Sequence, residues 1–157
     1  MCSVCGLSEP AAESAFCHDC TAIRHYKFTA RTTLVVDGSW HPDHPSIGGA
    51  GIVLVDGDPT GKITGQRYCG FLCHDSWQAE YEAVLRAHRW APAVLIYTDA
   101  KFVVERIQGC QPISGQVRFL HPKLRGNVYR RAHRLSVQGR QTLVNREPPE
   151  QAKIPHT

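Results

Sequence analysis

The feature that most restricts the fold is a pair of short apolar runs, each closed by an aspartate, with a segment of helical periodicity between them. Thr32-Thr33-Leu34-Val35-Val36 reads as a buried strand ended by the turn-forming Asp37-Gly38-Ser39. Val94-Leu95-Ile96-Tyr97, bounded by Pro92 and Asp99, reads as another. Between them, Ser76 to Trp90 carries Trp77, Tyr81, Val84, Leu85 and His88 on one stripe, with Ser76 as N-cap and Pro92 preventing continuation. Strand, helix, strand in this order implies a parallel crossover. If the two strands are neighbours, their C-terminal ends bring Asp37 and Asp99 together, at the edge where open α/β sheets commonly hold ligands.

The rest of the chain fits around that unit. After a loop from Trp40 to Gly48, Gly49 to Val55 is a second strand, Asp56 to Gly61 a turn and Lys62 to Phe71 a third strand, which makes an antiparallel meander. Lys101 to Gln108 reads as a helix stopped by Gly109, Pro122 to Val137 as a basic helix carrying Leu124, Val128 and Leu135, and Gln141 to Asn145 as a fifth strand. No stretch approaches the roughly 20 apolar residues of a membrane span, and no signal pattern opens the chain, so a cytoplasmic location without membrane contact is expected.

Glu80 lies in the first turn of the helix between the third and fourth strands, near where Asp37 and Asp99 converge. Carboxylates crowded at strand ends repel one another unless cations neutralise them, and hard oxygen ligands select Mg²⁺ or Mn²⁺. Two such ions can activate water and stabilise a leaving oxygen in phosphodiester hydrolysis. Aspartates after strands are also ordinary turn residues, so spacing alone leaves both readings open.

Four of the seven cysteines form Cys2-x2-Cys5-x11-Cys17-x2-Cys20, the spacing of a four-thiolate structural zinc site. Residues 1–30 have few large apolar side chains, and one Zn²⁺ can contribute roughly 10 to 16 kcal/mol toward folding such a segment. The chain therefore divides into a zinc-binding module over 1–30 and a main domain over 31–157. The module serves either as a nucleic-acid tether or as a structural clip, since residues 1–31 carry three basic and three acidic side chains. Cys69, Cys73 and Cys110 read as ordinary thiols.

From Arg106 to Arg146 there are nine Lys or Arg and no Asp or Glu, a distribution suited to a phosphate-rich ligand, though a solvated basic face has the same composition. Arg125, Arg130, Arg131 and Arg134 are the candidate phosphate contacts. Ser39 and Gly49 are candidates for backbone approach to an RNA strand, with turn and packing roles open for the same residues.

Four ordered segments carry a resemblance: Val35-Val36-Asp37-Gly38-Ser39, Gly48-Gly49-Ala50-Gly51-Ile52-Val53-Leu54, Ala79-Glu80-Tyr81-Glu82-Ala83-Val84-Leu85 and Ile96-Tyr97-Thr98-Asp99. In order and position they resemble motifs of type 1 ribonucleases H, and Pro122-Lys123-Leu124-Arg125 with Val144-Asn145-Arg146-Glu147 is similar to the archaeal-type branch. The resemblance covers about residues 32 to 153. It implies an α/β fold with a five-stranded mixed sheet in the order 3-2-1-4-5 flanked by helices, and cleavage of the RNA strand of RNA/DNA hybrids. It places the metal-binding carboxylates on Asp37, Glu80 and Asp99. Aligning Val144-Asn145-Arg146-Glu147 puts Lys153 where the family has a fourth carboxylate, and leaves no room for its C-terminal helix. A protonated lysine has no acceptor with which to ligate a metal, and there it either contacts phosphate or is simply solvated. Such a chain either cleaves with an altered second-metal site or binds hybrid or structured RNA without turnover.

Overall fold

The computed structural model describes residues 28–108 and 116–146. Cys2, Cys5, Cys17, Cys20, Cys110 and Lys153 lie outside the described residues. The chain runs β1 (Thr32–Trp40), β2 (Ile47–Asp56), β3 (Lys62–Leu72), α1 (Ser76–Trp90), β4 (Leu95–Thr98), α2 (Lys101–Ile107), β5 (Val117–Phe119) and α3 (Asn127–Val144). The five strands form one sheet in the order β3-β2-β1-β4-β5. β1 is antiparallel to β2 and β2 to β3, while β4 is parallel to both β1 and β5. No helix among the described residues is long and apolar enough to cross a membrane.

Helices cover both faces of β1, so Thr33 through Asp37 are buried without interruption. Successive strand side chains point to opposite faces. Leu34 and Val36 join Ile52, Leu54, Val84, Ile96 and Val103 in the core with α1 and α2, whereas Val35 joins Val53, Val55, Ala132 and Leu135 beneath α3. Continued two residues further, the same alternation turns Asp37 toward α3 and Gly38 toward α1.

Two local expectations change. Asp37-Gly38-Ser39 is not a turn: β2 pairs with β1 as far as Trp40↔Gly48, and the antiparallel ladder outweighs the local turn preference. The parallel ladder with β4 stops at Val36↔Thr98, so Asp37 is the first β1 residue beyond it. α1 has the expected span, but its cap is Asp75, whose Oδ1 accepts from the Gln78 amide at 2.8 Å. The helix buries Ala79, Ala83, Val84 and Ala87, while Trp77 stacks on Tyr81 and Phe102 and remains 38% exposed.

The largest correction concerns the last third. Gln141 to Val144 ends α3 and is not a strand; the fifth strand is Val117–Phe119. The expected helix from Pro122 starts as a single 3-10 turn, Pro122–Leu124, and α3 begins at Asn127. The alignment that placed Lys153 at the fourth carboxylate position runs through residues 144–147, which begin at the end of α3, and Lys153 itself lies outside the described residues. α3 is itself a helix following the fifth strand, so such a helix is present after all.

α3 lies almost directly on the sheet backbone. A Cβ on Gly51 would fall 2.0 Å from the Ala132 carbonyl oxygen and 2.6 Å from the Ser136 amide nitrogen, and one on Gly49 would fall 2.1 Å from the Ser136 oxygen. Gly49 is therefore a packing residue beneath α3, and the nucleic-acid contact expected of it does not match its position. Backbone atoms of a packed helix cannot yield as side-chain ends do, so Gly51→Ala is expected to cost about 3 kcal/mol of stability. Chemical denaturation checks this; an unchanged midpoint would show that α3 can lift without penalty.

Candidate active site

β1 and β4 end their ladder side by side, and the two aspartates follow at once, Asp37 on β1 and Asp99 directly after β4. Glu80 reaches them from α1 because Gly38 lets that helix come close: a Cβ on Gly38 would lie 2.4 Å from the Ala79 carbonyl oxygen and 2.6 Å from the Glu80 amide nitrogen. The Gly38 amide then donates to Glu80 Oε2 at 3.2 Å. Asp37, Glu80 and Asp99 each offer a carboxylate oxygen, and these oxygens all lie within 4.8 Å of one another.

The opposite face of the sheet supplies the remaining supports from α3. Tyr129 donates its hydroxyl to Asp99 Oδ2 at 2.6 Å. His133 Nδ1 lies 2.9 Å from Asp37 Oδ2, and the Ser136 hydroxyl stands 3.2 Å from that oxygen and 2.6 Å from the His133 carbonyl, with one proton for the two acceptors. Tyr129, His133 and Ser136 fall at i, i+4 and i+7, one stripe of a helix. The sequence alone singles out none of the three, although that spacing within an otherwise basic helix was the available signal.

Burial and mutual repulsion hold protons in the cluster. Burial, followed by the charge of Asp99, raises the Asp37 carboxyl from 3.8 to about 6, against the opposing pull of His133 and Ser136. Burial, with Asp37 and Asp99 adding repulsion, raises Glu80 from 4.5 to about 10, despite the Gly38 amide. Burial and the neighbouring carboxylates likewise push the Tyr129 phenol up, which keeps it a donor to Asp99. Three close carboxyl groups of which at least one stays protonated at neutral pH suit a hard divalent cation, which would replace the protons and accept oxygen ligands. The donor set thus fits Mg²⁺ or Mn²⁺.

The expected phosphate contacts divide. Arg130, Arg131 and Arg134 line a cleft of about 740 Å³ together with Ile63, Asn127, Tyr129 and His133. Arg131 Nη1 donates to Gln66 Oε1 at 2.6 Å, and Arg130 is bonded to Asn127. Arg125 does different work: Nε and Nη2 donate to the Leu120 carbonyl at 3.2 and 3.1 Å, and its guanidinium lies over the rings of Phe119 and Tyr129. It braces the segment between β5 and α3 behind Tyr129. The Ser39 hydroxyl is also engaged internally, accepting from Nε of the buried Arg140 at 3.0 Å.

No protein-family model and no curated protein matches the sequence. Solved structures do match the fold. RNase H1 from the halophilic archaeon Halobacterium salinarum NRC-1 aligns with a TM-score of 0.53 at 19% identity, over 72% of this chain and 99% of that one. The RNase H domain of prototype foamy virus aligns with a TM-score of 0.55 at 20% identity, over 71% and 95%. LC11-RNase H1, solved in complex with an RNA/DNA hybrid, aligns with a TM-score of 0.51 at 16% identity, over 72% and 99%. The described chain has the ribonuclease H-like fold.

Proposed function

We propose that this protein is a hybrid-specific endoribonuclease, hydrolysing the RNA strand of RNA/DNA duplexes with Mg²⁺ or Mn²⁺ held by Asp37, Glu80 and Asp99. The observation that carries this reading is the meeting of three carboxylate oxygens within 4.8 Å beside the end of the β1–β4 ladder, in a ribonuclease H-like fold. Divalent cations bound there supply Lewis acidity toward a water and a leaving oxygen. The residues supply position. Tyr129 orients Asp99, Ser136 and His133 hold Asp37, and the Gly38 amide holds Glu80. Asp37 is buried, so the contacts made to its carboxylate are screened less than they would be at the surface.

The arginine cleft is the proposed path of the nucleic-acid backbone. Arg130, Arg131 and Arg134 are its phosphate contacts, giving affinity without sequence preference. Replacing all three by Ala is expected to weaken hybrid binding and to lower the slope of log K against log salt by about 1 for each phosphate that is no longer neutralised. Fluorescence anisotropy across a salt series measures it, and an unchanged slope would move the nucleic acid to another face. The proposal extends to Cys2, Cys5, Cys17 and Cys20 as ligands of one structural Zn²⁺, and to a cytoplasmic, reducing location.

The test of activity is a labelled RNA/DNA hybrid incubated with the full chain in Mg²⁺ and, separately, Mn²⁺, beside all-DNA and all-RNA duplexes. Cleavage confined to the hybrid supports the enzyme. A second reading, a hybrid-binding protein without turnover, is favoured by one observation: the α3 side chains that reach the cluster are Tyr129, His133 and Ser136, none of them a carboxylate. Tight, salt-sensitive hybrid binding with no cleavage in either metal would select it.

A further inference from the structure

Arg140 is a buried cation without an anion. It is only 9% exposed, and its Nε donates to the Ser39 hydroxyl at 3.0 Å. Among the described residues that neutral hydroxyl is its one polar partner, no carboxylate pairs with it, and neither Nη nitrogen is sealed from solvent. Buried charges are ordinarily paired, because taking a guanidinium out of water is costly. Arg86, equally buried, follows that rule, with Nε 3.2 Å from Glu82 Oε2. Arg140 is also held in place. A Cβ on Gly49 would fall 2.4 Å from the Arg140 amide nitrogen and 2.9 Å from its Cβ, so the bare backbone there seats the root of the side chain against the sheet. Ser39 fixes the far end. A guanidinium fixed at root and Nε, with its Nη atoms left for an outside acceptor, is preorganised for an oxyanion.

The position of this guanidinium selects the oxyanion. Ser39 lies two residues past Asp37 on the same face of β1, roughly 7 Å along the strand. Arg140 lies one helical turn past Ser136, which touches Asp37. The guanidinium therefore follows the carboxylates along the strand, and it is not among the side chains that line the cleft of Arg130, Arg131 and Arg134. We infer that Arg140, held by Ser39, binds a backbone phosphate of the RNA strand next to the one presented to the carboxylates, and so fixes the register of that strand against the cluster. This rests on the reading of the cluster as the site of cleavage. Arginine takes a phosphate through two parallel N–H···O bonds, so the site requires a charged phosphate at one defined position. The cleft arginines, by contrast, spread their contribution over several side chains.

The experiment walks a single neutral methylphosphonate along the RNA strand of a short RNA/DNA hybrid. Binding to the full chain is measured by fluorescence anisotropy with Ca²⁺ in place of Mg²⁺ or Mn²⁺, for the wild type, Arg140→Gln and Arg140→Lys. Circular dichroism checks the fold of each variant. In the wild type, neutralising one phosphate is expected to weaken binding by about 10-fold or more beyond its neighbours. In Arg140→Gln that same hybrid should bind no worse than the unmodified one, because the contact is already gone. Arg140→Lys keeps the charge but loses the fork, and should retain only part of the preference. A readout that needs no variant is the Arg140 Nε–H resonance of the wild type. It should move on adding the unmodified hybrid and stay in place with the hybrid neutralised at that position. A flat profile in the wild type, the same profile in Arg140→Gln, or an Arg140 resonance that ignores the hybrid overturns the inference and leaves the three-carboxylate reading standing. No binding of the unmodified hybrid by the wild type overturns both.

Discussion

Asp37→Asn will abolish hybrid cleavage, by on the order of 10³-fold or more, while hybrid binding survives and the metal-free protein becomes more stable. Three facts combine in this expectation. Asp37 is the residue on which both faces of the sheet converge: Glu80 and Asp99 stand within 4.8 Å on one side, and His133 and Ser136 touch it on the other. Asparagine has nearly the same shape but no charge, so it cannot hold a cation as a carboxylate does. Its carbonyl oxygen can still accept from Ser136, and losing a buried charge relieves repulsion with its neighbours. Single-turnover cleavage, hybrid binding and the melting temperature of the metal-free protein, measured on one preparation, separate these effects. Retained cleavage would remove Asp37 from the chemistry, and a lower melting temperature would mean that the His133 and Ser136 contacts outweigh the repulsion.

In buffer free of Mg²⁺ and Mn²⁺, the protein will lose stability as pH rises, and divalent cations will restore it. Both cluster carboxyls with shifted acidity hold their protons more tightly when folded than when unfolded. Asp37 goes from 3.8 to about 6 and Glu80 from 4.5 to about 10. Below about pH 4 the proton is present in both states and there is no penalty. Between the unfolded and folded values only the folded chain keeps the proton, so stability falls with pH, at up to about 1.4 kcal/mol per pH unit for each titrating group. Asp37 contributes from about pH 4 to 6, and Glu80 continues the fall toward about pH 10. A cation replaces the protons and binds only the folded chain, so the rise in melting temperature on adding Mg²⁺ or Mn²⁺ should be larger at about pH 8.5 than at about pH 5.5. Equal rises at both pH values would show that the cations bind elsewhere.

The first two-thirds of the molecule were largely legible because its strands and first helix are long enough to display a period. β2 and β3 extend over Ile47–Asp56 and Lys62–Leu72, and α1 spans Ser76–Trp90 as expected. Asp37 and Asp99 could be placed because a parallel crossover aligns strand ends whatever the details of the loops. The last third was not legible for a physical reason. β5 has three residues, Val117-Arg118-Phe119, too few to show alternation, and its pairing with Ile96, Tyr97 and Thr98 is a tertiary fact. Gln141 to Val144, which mixes polar and β-branched residues, reads locally as a strand but extends a helix already held to the sheet. That one misplacement hid His133: once the fifth strand moves upstream, the helix after it presents Tyr129, His133 and Ser136 to the carboxylates.

α3 carries two sets of side chains on interleaved faces, with Tyr129, His133 and Ser136 against the cluster and Arg130, Arg131 and Arg134 along the cleft. The helix is therefore a gauge. The separation between the proposed grip on the nucleic-acid backbone and the carboxylates is set by helical rise, about 1.5 Å per residue, and not by the conformation of a loop. Inserting one residue at its start would rotate the rest by about 100° and carry grip and supports out of phase together. Substitutions along this helix can tune affinity one side chain at a time, but its length between Asn127 and Ser136 has no freedom to drift.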